Sequence, residues 1–206
     1  MRLFVALNFD PEVRARWHAA TAPLRDAAPD VRWTAPDRLH LTLAFLGEQP
    51  ESVVPPLATA LDSAGRLAGP LTLAIDGVGA FPGWRRPRVV WLGIAESATL
   101  ASLASAVGDV CRTLALPTEA RAFHPHITLG RVGDRLAPAA VHTLTRAAAA
   151  ITVASRAESR SVDLMVSLPG PGGVRYHRLH AAPLLHRIDA PVGREGARPP
   201  ADGERP

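Results

Sequence analysis

The first apolar stretch of the chain, Arg2 to Asn8, alternates only weakly and is largely aliphatic, which predicts a central strand. Asp10-Pro11-Glu12 reads as a helix start, with Asp10 as the cap and Pro11 in the first helical position. Val13, Trp17, Ala20 and Leu24 recur on one face and predict a helix running to about Ala28. Beyond the break at Ala28-Pro29-Asp30 the pattern gives a short strand, Val31 to Thr34, a turn at Pro36-Asp37, and a strand from Leu39 to Leu46 ended by Gly47. Pro50 to about Ala64 predicts a second helix, and Pro55-Pro56 inside it argues for a late start or a kink. Strands are expected at Leu71–Val78 and Val89–Ile94, and a helix capped by Ser97 runs to Leu116.

Pro125 has no N–H to give a ladder, so the next paired strand, His126 to Val132, starts around it. A helix follows at Pro138–Ala150. Two strands, Ser159–Leu168 and Val174–Ala181, are joined by the hairpin composition Pro169-Gly170-Pro171-Gly172-Gly173. Strands and helices interleave, yet several strands adjoin directly. The expected architecture is α+β, with two mainly antiparallel sheets facing a central cleft and helices on the outer faces. Residues 1–187 form the domain. From about Ile188 onward the chain is Pro, Gly, Arg and acid, and 188–206 reads as a disordered tail.

Within this pattern one tetrapeptide recurs. His40-Leu41-Thr42-Leu43 in the first half matches His126-Ile127-Thr128-Leu129 in the second, both in predicted strands. Residues two apart in a strand share a face. His40 and Thr42 therefore lie opposite Leu41, Leu43 and Phe45, and His126 and Thr128 lie opposite Ile127 and Leu129. A half-buried strand can read the same way, so one copy would carry little. Two copies, one per half, point to two lobes related by a pseudo-two-fold axis, with both motifs meeting in the cleft.

Composition narrows the chemistry. The 23 basic residues are all arginine, against 19 acidic ones, for a net charge of +4. Arginine grips phosphate bidentately, so the mild excess fits an anionic partner without implying tight non-specific binding to a nucleic-acid backbone. The single cysteine, Cys111, excludes an intramolecular disulfide and a cysteine metal cluster; it reads as a small buried hydrophobe. No apolar run reaches membrane-span length, and the N-terminus lacks a secretion signal, so the default expectation is a cytoplasmic monomer that does not engage a membrane. His124 shares parity with His126, but no third ligand stands at metal-binding spacing, and no metal or other cofactor is expected.

Two imidazoles that titrate near neutrality can hold opposite protonation states, one taking a proton and the other giving one. Two hydroxyls on the same face can donate to the non-bridging oxygens of a phosphate. A cyclic phosphodiester suits such a set, because its attack and departure need groups on opposite sides of phosphorus. The loop from Phe81 to Arg88, with Trp84, Arg85 and Arg86, has the composition either of a base-stacking, phosphate-contacting edge or of a solvated hairpin. His177 and His180, three apart, point to opposite faces by alternation.

The paired motifs resemble the two-histidine (2H) phosphoesterase superfamily. Together with their flanks, the chain resembles the RNA 2′,3′-cyclic phosphodiesterases long called 2′-5′ RNA ligases. The resemblance spans Arg2–Leu7, Leu39–Gly47, Gly77–Pro82, Arg88–Gly93, Phe123–Arg131, Ser167-Leu168, Gly172-Gly173 and Tyr176. It implies a bilobal two-histidine phosphoesterase fold, and metal-independent hydrolysis of an RNA 2′,3′-cyclic phosphate end to a 2′-phosphomonoester. His40 would protonate the departing 3′ oxygen, His126 would activate water, and Thr42 and Thr128 would hold the phosphate oxygens. Arg131 matches an arginine that follows the second motif, but strict alternation turns it away from His126, and it would reach the phosphate only if the strand bulges or ends there. Tyr176 and Phe123 offer surfaces for base stacking or for core packing. The readings set beside hydrolysis are 2′-5′ ligation, a 2′-5′ oligonucleotide or cyclic nucleotide phosphodiesterase, and a non-catalytic module that binds RNA ends.

Overall fold

The computed structural model describes residues 1–66, 69–118, 122–133, 136–153, 155–170 and 173–185. The expected tail, 188–206, and Pro171-Gly172 of the hairpin lie outside the described residues. The strands are β1 (Arg2–Leu7), β2 (Arg32–Trp33), β3 (Leu41–Glu48), β4 (Leu71–Phe81), β5 (Val89–Ile94), β6 (His126–Arg131), β7 (Arg156–Ser159), β8 (Ser161–Gly170) and β9 (Gly173–Pro183). The helices are α1 (Pro11–Ala20), α2 (Ala22–Ala27), α3 (Val54–Gly65), α4 (Ala98–Thr113) and α5 (Pro138–Ala150). Among the described residues no helix is long and apolar enough to cross a membrane.

All pairings are antiparallel, in the order β7-β4-β5-β6-β3-β1-β8-β9, with β2 added to β6. The two expected sheets are thus continuous, but the junction between β3 and β6 is a single pair, Leu41 with Ile127. One half-sheet is β7-β4-β5-β6 and the other is β3-β1-β8-β9. The apolar core lies on the helix-covered side, where Leu3, Val5, Leu7, Leu41, Leu92, Ile127 and Leu164 meet the helices. β1 is central, as its aliphatic run predicts, and both its faces are covered. Phe4 and Ala6 form a second cluster with Met165 and Tyr176 on the other side of the sheet.

The expected helix from Pro11 to Ala28 is broken. Thr21 caps the end of α1, and α2 starts afresh with Pro23 in its first turn, where a missing N–H costs nothing. The buried series is Trp17, Thr21, Leu24 and Ala28, with Ala20 exposed. Thr21 keeps its buried hydroxyl satisfied by donating to the Trp17 carbonyl at 2.8 Å. Asp10 makes no side-chain cap hydrogen bond. Pro55 and Pro56 do delay their helix: a 3₁₀ turn at Glu51–Val53 precedes α3. Strand β7, which has only four residues and two of them charged, carries too little pattern to be predicted.

One-residue bulges break the strict alternation in β3, in β9 and, beside the second tetrapeptide, in β6. Along β3, opposite Leu3–Ala6 of β1, the register slips twice, at Leu46 and at Leu43. Phe45 consequently pairs with Phe4, and its side chain is 46% exposed rather than in the core. In β9 the slip at Leu179 sets His177 opposite Val166 and His180 opposite Leu164, so both histidines lie on one side of the strand. His180 reaches Asp62 of α3 at 2.8 Å.

Candidate active site

The two tetrapeptides meet at the junction of the half-sheets. His40 stands just before β3 and His126 opens β6. The Leu41–Ile127 pair buries both aliphatic positions completely. In that antiparallel register His40 falls opposite Thr128 and Thr42 opposite His126. Two imidazoles and two hydroxyls thus share a patch on the cleft side, around the buried pair.

The local backbone aims both rings the same way. Nδ1 of His40 donates to the Arg38 carbonyl at 2.7 Å, and Nδ1 of His126 donates to the His124 carbonyl at 2.7 Å. A carbonyl only accepts, so each Nδ1 carries the hydrogen and proton exchange falls to Nε2. Each ring is also steadied by aromatic neighbours. His40 lies 5.0 Å from Phe4 and 5.2 Å, edge-on, from Tyr176. His126 lies 5.0 Å from Phe81, edge-on, and 6.3 Å from Trp91. The Trp91 indole lies against Gly79, where a Cβ would stand 2.1 Å from its ring.

Burial is the main cause that holds His40 below the ordinary imidazole pKa. The hydrogen bond to the Arg38 carbonyl acts against this, and the positive charges of His126, Arg131 and Arg14 add to the depression. Arg14 reaches the site from α1, where it donates to the Asp37 carbonyl.

Arg131 arrives by a bulge. On β5, Trp91 pairs with Thr128 and Val90 with Gly130, so Leu129 of β6 is the extra residue. Leu129 and Gly130 both turn inward, and a Cβ on Gly130 would stand 2.7 Å from Trp33 and 2.9 Å from Val31. Arg131 is thereby returned to the exposed side shared with His126 and Thr128. Alternation alone turns it away.

On the β3 side, Ala6 lies between Thr42 and Asp163. Asp163 is fully buried and accepts from Asn8 at 2.6 Å and from Ser161 at 2.7 Å, with Arg178 at 3.5 Å. The fold therefore brings His40, Thr42, His126, Thr128 and Arg131 together, and sets Tyr176 against His40. Phe123 stands apart, 36% exposed, at the N-terminal end of β6. Trp84 packs on the core, and Arg85, Arg86 and Arg88 line a separate hollow against α5. Sequence reasoning does not single out Phe4, Trp91, Arg14 or Asp163. The one available hint is the weak alternation in β1, which puts Phe4 and Ala6 on a common face. Among the described residues no three His, Cys, Asp or Glu side chains are grouped to hold a metal ion.

Residues 9–163 match the family model of the 2′-5′ RNA ligase superfamily. The chain is 31% identical over 194 residues to the RNA 2′,3′-cyclic phosphodiesterase of Geobacillus stearothermophilus, covering 94% of this chain and 59% of that protein. It is 38% identical over 135 residues to the RNA 2′,3′-cyclic phosphodiesterase of Escherichia coli, covering 63% of this chain and 71% of the other. Its fold superposes on the crystal structure of TT0787 of Thermus thermophilus with a TM-score of 0.76 at 28% identity, over 92% of this chain and 100% of the other.

Proposed function

The chain belongs to the 2′-5′ RNA ligase superfamily, and from that premise we propose that it is an RNA 2′,3′-cyclic phosphodiesterase working by two-histidine acid–base catalysis. One observation carries the mechanism. Both motif histidines commit Nδ1 to a carbonyl two residues back, which dedicates the two Nε2 atoms to proton exchange beside two threonine hydroxyls.

The cyclic phosphate lies over the junction pair, with its non-bridging oxygens accepting from Thr42 and Thr128. His126 takes a proton from water as the oxygen attacks phosphorus. The bond from phosphorus to the 3′ oxygen breaks, and His40 protonates that oxygen. The products are a 2′-phosphomonoester and a free 3′-hydroxyl. Arg131 faces the same anion. Substrate also changes His40: a bound anion offsets the repulsion from Arg131, Arg14 and His126, which favours its protonated, donor form. Each proton transfer is worth about 10²–10⁴-fold in rate. One chain supplies both motifs, so a monomer suffices.

The test is to incubate the protein, in EDTA, with a short RNA ending in a 2′,3′-cyclic phosphate and to resolve the 2′- and 3′-phosphate products. Conversion to the 2′-phosphate, lost in both His40→Ala and His126→Ala, is expected. Inactivity in chelator that zinc restores, or retained turnover in either variant, overturns the proposal.

A further inference from the structure

We propose that the hollow at the N-terminal end of β6 receives the terminal nucleobase of the RNA and favours guanine over uracil. The inference rests on the cyclic phosphodiesterase reading above and names the base that site accepts. The hollow holds about 550 Å³ and is lined by Asp76, Trp91, Glu96, Ser97, Phe123 and His124, among others. It adjoins the catalytic patch directly: Trp91 and His124 line it, and Trp91 also meets the His126 ring. Trp91 is thus common to the hollow and to the surroundings of the His126 ring, 6.3 Å away between centroids.

Three features fit a base and not a phosphate. Trp91 gives a fixed aromatic ring, because the outer edge of its indole is pressed onto Gly79 with no room for a side chain there and also meets Gly93, where a Cβ would stand 3.2 Å away. Phe123 adds a second, exposed ring. The charged groups are carboxylates. Asp76 lies in the slip of β4, where Ile75 pairs with Ile94 but Val78 with Leu92, and it is exposed at the rim; Glu96 is exposed just after β5. These two would repel RNA phosphates. The hollow at the opposite end of β5 and β6, about 570 Å³, carries Arg85 and Arg86 instead. The phosphate chain therefore leaves toward that end, past Arg131.

A carboxylate discriminates among bases by what their edges donate. Guanine presents the N1–H and N2–H donors side by side, matching two carboxylate oxygens. Uracil presents one N–H between two carbonyl oxygens, which a carboxylate repels. A well-made pair of this kind is worth about 10- to 100-fold in discrimination. The indole and Phe123 stack on either base and add no preference.

The experiment compares kcat/KM for two short RNAs that differ only in a terminal guanosine or uridine 2′,3′-cyclic phosphate, with wild type, Asp76→Asn, Glu96→Gln and the double variant. In parallel, calorimetry measures binding of guanosine and uridine 2′-monophosphates to the same proteins. A guanosine preference of about tenfold or more, collapsing toward parity in the double variant in both arms, is expected. Turnover without base preference, or a preference that survives in the double variant, overturns the subsite. If neither RNA is hydrolysed yet the acid-dependent guanine preference appears in binding, the subsite stands and the activity reading fails. If neither arm shows a preference, the subsite fails whatever the turnover.

Discussion

Replacing Gly79 with alanine drives a methyl group into the Trp91 indole. The new Cβ would lie 2.1, 2.2 and 2.6 Å from three carbons of the six-membered ring. The ring must retreat by about 1.3 Å to reach ordinary contact at 3.4 Å. Its retreat disturbs its neighbours, since it lies 5.1 Å from Phe81 and 6.2 and 6.3 Å from the rings of His124 and His126 between centroids. Overpacking of this kind costs about 1–3 kcal/mol of stability. A displacement near 1 Å in the ring that steadies a proton-transfer group costs about 10–10²-fold in kcat. Urea unfolding and single-turnover hydrolysis of the cyclic-phosphate RNA read the two effects separately. Trp91→Leu in the same background removes the obstacle, so G79A should cost far less stability there, with a coupling of about 1–2 kcal/mol. If G79A costs the same in both backgrounds, or leaves kcat within about twofold of wild type while the fold is intact, the indole does not hold His126 in place.

Two further outcomes follow from the electrostatics. Arg131→Gln removes one of the positive charges that keep the His40 pKa down, so the His40 imidazole titrates at higher pH in the variant than in wild type; an NMR titration of the His40 ring reads this, and a midpoint that stays or moves down refutes the coupling. Burial pushes the Cys111 thiol up, so it stays protonated at neutral pH; a thiol reagent should label it only after unfolding, and rapid labelling of the native protein would contradict its place in the core.

Much of the site can be read from residue order alone because alternation holds over short spans. His40 to Thr42 and His126 to Thr128 are each three residues long, and in both spans the histidine and the threonine share a side of the sheet. The reading fails where a strand gains a residue. Leu129 returns Arg131 to the cleft, Leu43 and Leu46 turn Phe45 outward, and Leu179 brings His177 and His180 to one side. Each slip sits at a leucine that looks locally like any other strand residue, and only the partner strand reveals it. Trp91 escapes notice for a related reason. Its role depends on Gly79, a neighbour across the sheet, and no periodicity along β5 encodes that contact. The break between α1 and α2 is within reach, since Pro23 is visible, but the apolar spacing of Trp17 and Leu24 carries the helix through it.

The two half-sheets touch through one backbone pair, Leu41 with Ile127, whose partners belong to opposite halves of the chain. Loop-closure entropy makes such a distant contact costly until local structure has formed on both sides. The β1–β3–β8–β9 half needs the last strands of the chain, and β6 arrives only after β4 and β5 have been made. Neither half-sheet carries both histidines, so the pair exists only in the assembled sheet. A chain cut before β8 would keep both histidines yet deprive β1 of its outer neighbour, leaving the half-sheet beside His40 incomplete.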